Sequence, residues 1–170
     1  MAFDIDRFKE AQGSGQAGFA QALGELRAGR KTSHWIWYVF PQLRGMGRSP
    51  MAVRFGLDGP AEAVAYLRDP VLAQRLATAT AAVRAHLAPA RGQPARLAEL
   101  MGSEIDALKL VSSMTLFARV ARAVNAREPR PELAALADDA EAILAAAAAE
   151  RYERCAFTER QLAGSSAAGD

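Results

Sequence analysis

Wherever apolar residues recur with a period in this chain, the period is that of a helix, and this constrains the fold more than any other feature. Phe19, Leu23 and Leu26 fall at i, i+4 and i+7. Leu72, Leu76, Ala79 and Val83 make a second stripe, and Leu110, Met114, Phe117, Ala121 and Val124 a third. Such spacing gathers each set on one side of a helix, a side that must be buried against a neighbour. Only Ser33 to Phe40, rich in aromatic and β-branched residues, has the composition of a strand. No second run could pair with it, and a lone strand leaves its backbone groups unmet, so the segment is expected to be a short buried helix ending before Pro41.

Start and stop signals divide the rest. Ser49-Pro50 and Asp69-Pro70 each place a capping side chain before a proline at the first helical position, and Pro60 opens a further helix. Ser103 and Asp106 stand in a capping-box-like relation. Gly29, Gly56 and Gly102 fall where helices should end. The expectation is an all-α fold, a single compact domain of about seven to eight helices over residues 1–163. Pro89 to Pro94 reads as a loop, and the small, polar residues 164–170 as a frayed tail. A chain of 170 residues suits one domain and buries roughly two-thirds of its unfolded surface without metals or disulfides.

Composition removes several function classes. Cys155 is the only cysteine, so the chain can form no internal disulfide and no cysteine cage for a metal. No cofactor and no metal are therefore expected. The first residues, Met1 to Arg7, include two aspartates and no apolar stretch of signal-peptide length, and every apolar run is interrupted well short of about 20 residues. A cytoplasmic protein without a membrane span is the expectation. The net charge of +2 names no partner, but its distribution is uneven. No acid occurs between Glu25 and Asp58, whereas Arg27, Arg30, Lys31, Arg44, Arg48 and Arg54 all lie there.

That window holds the residues best suited to chemistry. Trp35 and Trp37 offer rings able to stack on a base, Lys31 and Ser33 offer a cation and a hydroxyl, and His34 has a side chain that titrates near neutrality. Gln42 and the loop Leu43 to Pro50, with Arg44 and Arg48 beside Gly45 and Gly47, could present donors to an anion. The loop is no dinucleotide fingerprint, because Pro50 stands where a third glycine is needed. Farther along, Asp106, Lys109 and Ser113 share a helix edge at i, i+3 and i+7, and Ser112 and Thr115 make a second hydroxyl edge. The candidate ligand-binding set is thus Lys31, Ser33, His34, Trp35, Trp37, Gln42, Arg44, Arg48, Lys109, Ser112 and Ser113, with His34 and Lys109 as candidates for catalysis. Each has a structural alternative: the tryptophans as core, and the serines as groups that satisfy neighbouring loops. His86 stands alone, with a helix-capping role.

The elements Gly29-Arg30-Lys31, Ser33-His34-Trp35-x-Trp37, Phe40-Pro41-Gln42 and Gly45-x-Gly47-Arg48-Ser49, with Leu108 to Phe117, resemble the bacterial and fungal family called domain of unknown function 1810. The resemblance covers most of the chain and implies a mainly helical fold, with no established activity. Two places depart from the family pattern: Val111 stands where a basic residue is expected, and Tyr152 to Cys155 lacks the usual glycines. The label calpastatin carried by some members fits poorly, since calpastatin repeats are polar and disordered and this chain is 51% apolar with periodic stripes. Three classes remain: a site that binds, or binds and processes, a small anionic, nucleotide-like ligand; a nucleic-acid-binding module; and a non-catalytic interaction domain. Binding to nucleic acid is expected to be weak, because 19 acids populate the rest of the chain.

Overall fold

A computed structural model describes residues 2–88 and 95–167, so the expected loop at 89–94 and the last three residues lie outside the described part. Its organising element is a long buried helix, α8 (Glu104–Arg127), whose stripe Leu110, Met114, Phe117 and Ala121 is wholly enclosed. Before it come α1 (Asp6–Gln12), α2 (Phe19–Ala28), α3 (Ile36–Val39), α4 (Pro50–Phe55), α5 (Gly59–Arg68), α6 (Pro70–Leu87) and α7 (Leu97–Met101); α9 (Pro131–Ala149) and α10 (Ala156–Ala167) follow. α9 packs along both α8 and α6, while α5, α7 and α10 cover other sides of α8.

The described residues hold ten helices, not seven to eight. The difference comes from single-turn pieces and from the C-terminal end. α9 stops at Ala149, Arg151 takes a left-handed φ of 71°, and Cys155 opens a new helix by accepting the Glu159 amide at 3.0 Å. That helix continues through Gly164 to Ala167. Phe157 and Leu162 give it too short an apolar pattern to be seen in the sequence.

The capping signals act as their chemistry requires. Ser49 accepts from the Ala52 amide at 3.1 Å, Asp69 from the Val71 and Leu72 amides at 3.0 Å, and Ser103 from the Asp106 amide at 3.1 Å. The Ser33 to Phe40 segment forms one helical turn, Ile36–Val39. No strand occurs among the described residues; Leu43 and Leu57 make only an isolated parallel bridge. On α2 the fully buried positions are Ala22 and Leu26, with Phe19 half-buried under the Arg75 guanidinium. His86 caps a helix other than its own: its Nε2 lies 3.2 Å from the Arg27 carbonyl at the end of α2. No described helix is long and apolar enough to cross a membrane.

Candidate functional site

The acid-free window lies along the N-terminal half of α8 and meets it turn by turn. Lys31 Nζ pairs with Asp106 Oδ2 at 2.7 Å. One turn on, Lys109 Nζ sits 5.1 Å from the centre of the Trp37 ring. After another turn, Ser112 Oγ approaches Met46 Sδ at 3.8 Å, and Thr115 Oγ1 then accepts the Cys155 amide at 3.1 Å. At about 3.6 residues per turn, each step of three residues falls about 60° short of a full turn, so these contacts wind around α8 instead of lining one face. Of the window's candidates, Lys31 and Trp37 meet α8, and the candidates divide into two groups by their contacts.

The first group is structural. Lys31 is 6% exposed, donates to the Ser33 carbonyl at 2.5 Å and rests against the Trp35 ring. Its place depends on Gly102, whose φ is +82°; a Cβ there would lie 2.6 Å from the Lys31 carbonyl oxygen. Trp35 is fully buried and gives its indole N–H to Glu25 Oε1 at 3.0 Å. The same oxygen accepts the amides of Thr32 and Ser33 at 2.7 and 2.8 Å. Partial burial opposes ionisation of Glu25, but hydrogen bonds from Ser33, the two amides and Trp35 outweigh it and bring its carboxyl down to about 2. Glu25 is thus the organiser of the window, although it stands just outside the acid-free stretch. Ser33 Oγ is taken up by the Gln21 amide at 2.6 Å.

The second group holds groups with unmet capacity. Trp37 is half-buried, and its Nε1 is buried without a hydrogen-bond partner among the described residues. Ser113, one turn beyond Lys109 on α8, is fully buried with its hydroxyl likewise unpartnered. Lys109 is half-buried and makes no ion pair with a described residue. Arg44 and Arg48 project from the adjoining loop, exposed and without ion pairs among the described residues. Gln42 stays half-buried, its side-chain amide beside Gly47 and its carbonyl accepting the Leu57 amide at 2.9 Å. His34 is exposed, and no hydrogen bond of its ring joins it to Lys109; its carbonyl lies 3.2 Å from Tyr38 Oη, toward Ala17.

Cys155 and Met46 are additions that sequence patterns did not indicate. Gly45, at φ +112°, lets the loop pass within contact of Phe157 and carries Met46 to 3.3 Å from Cys155 Sγ. Burial alone would push the Cys155 thiol up, but the Ser112 hydroxyl and the amides at the start of α10 hold it below its ordinary value. Among the described residues no group of three or more His, Cys, Asp or Glu could hold a metal ion. Two clefts touch the window only at its margins, one of about 210 Å³ beside Arg44 and Asp58 and one of about 540 Å³ between Arg27 and His86.

An all-helical domain with an aromatic and cationic segment laid along one central helix is the class this architecture defines. The family model described as "Protein of unknown function (DUF1810)" matches residues 2–130, and the chain belongs to that family. Among solved structures, the chain is similar to the conserved hypothetical protein Rv1873 from Mycobacterium tuberculosis. The two are 42% identical, with a TM-score of 0.67, over 84% of this chain and 86% of that one. No curated protein matches the chain.

Proposed function

We propose that the chain binds a small anionic, nucleotide-like ligand where Trp37, Lys109 and the Gln42 to Arg48 loop adjoin. One observation carries the reading: the Trp37 indole N–H is buried without an acceptor, and the ammonium beside the same ring has no carboxylate partner among the described residues. A buried donor left unmade costs about 1–3 kcal/mol, so such a group calls for a partner that the described residues do not supply. A phosphate or carboxylate would accept from both groups, and Arg44 and Arg48, exposed in the loop that follows, add positive charge to the same segment. Lys31, Ser33 and Trp35 belong to the frame that holds the site, since their polar groups are already engaged. His34 and Lys109 are assigned to ligand contact rather than to a chemical step.

The test uses the fact that the chain has two tryptophans. In a proton–nitrogen correlation spectrum, titration with adenosine monophosphate should move the Trp37 indole signal and leave that of Trp35 in place. Ribose 5-phosphate should act in the same direction, and adenosine and ribose should not. If neither indole signal moves at millimolar ligand, the proposal fails.

A further inference from the structure

A hollow among the described residues lies on the other half of α8, away from the Trp37 site. It holds about 370 Å³, within the size range of small-molecule sites. α5 and α10 contribute its sides, and α8 contributes the residues between them. Val64, Val120, Val124 and Leu162 give it an apolar lining, and Ala123, with its single methyl group, leaves the middle open. No aromatic ring lines it, so nothing there would stack on a base.

Its charge is one-sided. Three arginines, Arg68, Arg119 and Arg127, line the hollow against one acid, Glu128. Arg68 is taken up by Glu128 at 3.2 Å. Arg119 and Arg127 are exposed and make no ion pair or side-chain hydrogen bond with a described residue. They stand eight residues apart on α8, about 12 Å along its axis, one toward each end of the hollow's α8 side.

We infer that this hollow binds a free medium-chain carboxylate, its alkyl chain on the valines and leucine and its carboxylate on Arg119 or Arg127. An apolar floor with guanidinium at the rim matches an apolar body with an anionic end; a guanidinium also suits a carboxylate because two parallel N–H bonds reach both oxygens. A helical peptide would need far more surface than a hollow of this size offers.

Titration calorimetry of the full chain with sodium decanoate below its micelle concentration tests the inference. One decanoate should bind per chain, and hexanoate should bind at least about tenfold more weakly, because each methylene removed from water adds to affinity. Arg119→Glu or Arg127→Glu should weaken decanoate about tenfold or more, whichever residue holds the carboxylate. Ala123→Trp, at an exposed helix position, should abolish binding by filling the hollow while circular dichroism stays unchanged. Lys109→Ala should leave decanoate binding intact, which separates this outcome from that of the Trp37 site. Absence of decanoate binding at millimolar concentration overturns the inference. So does binding that all three hollow variants retain, or binding seen only with anionic vesicles.

Discussion

Glu25 Oε1 and Trp35 Nε1 lie 3.0 Å apart, and that bond ties the end of α2 to the most deeply buried aromatic of the window. Because the same oxygen also accepts two successive amides, the turn at Thr32 and Ser33 is fixed by one carboxylate. The chain direction into α3 follows, and with it the placement of Trp37 over α8. A basic segment is therefore shaped by an acid that precedes it.

The Glu25 carboxyl sits at about 2 in the folded protein, below its ordinary 4.5. A depressed folded value contributes stability that is fully present above about 4.5 and is lost as pH falls toward about 2. Because the group is only partly buried, screening reduces the contribution to about 1 kcal/mol. Glu25→Gln should thus cost about that much at pH 7. The gap between variant and wild type in urea unfolding should narrow across the acid range; a gap that is constant from pH 7 to pH 2.5 would mean that the charge of Glu25 plays no part.

Lys31 and Asp106 should respond unequally to substitution. Their side chains are 4% and 17% exposed. Asp106→Ala strands a buried ammonium and should cost about 3 kcal/mol, whereas Lys31→Met leaves an aspartate in the first turn of α8, where the helix end favours it, and should cost about 1 kcal/mol. Equal losses in denaturant titration would contradict this asymmetry.

Leu76 is 1% exposed and Phe117 wholly buried, each in the middle of its stripe. Truncating either to alanine leaves a cavity, and a loss of roughly 2–5 kcal/mol is expected. A change below about 0.5 kcal/mol would show that the site can collapse around the missing atoms.

Local rules made the helices legible. Ser49, Asp69 and Ser103 reveal helix starts because the capping partner is only two or three residues away, and the stripes of α6 and α8 reveal their buried sides through simple periodicity. α10 was not legible because it has no comparable stripe and depends on contacts such as Cys155 with Thr115, 40 residues distant. The contacts of the candidate window were half legible for the same reason. Residue types in the window showed where cations and rings collect, but only tertiary contact distinguishes Lys31, neutralised by Asp106, from Lys109, which lacks such a partner among the described residues. Trp35 and Trp37 are two residues apart, yet Glu25 satisfies one indole and nothing described satisfies the other.

That contrast sets the last prediction, for variants of the proposed ligand site. His34 and Arg48 are exposed, and neither side chain makes a hydrogen bond or ion pair with a described residue. Replacing both with alanine should leave the melting temperature of the ligand-free protein within about 1 °C of wild type, as expected for surface positions. Lys109→Ala should also change it little, since a partly exposed cation over a ring contributes about 0.5–1 kcal/mol. With adenosine monophosphate at about 100 times its dissociation constant, wild type should gain about 2.7 kcal/mol, a rise of roughly 5–10 °C in a domain of this size. Lys109→Ala and the double variant should lose most of that rise, because each removes charge from around the anion. Lys31→Met should melt lower than wild type yet keep the rise, since its ammonium is already committed to Asp106. If Lys31→Met loses the rise and Lys109→Ala keeps it, the division of the window into frame and site is reversed.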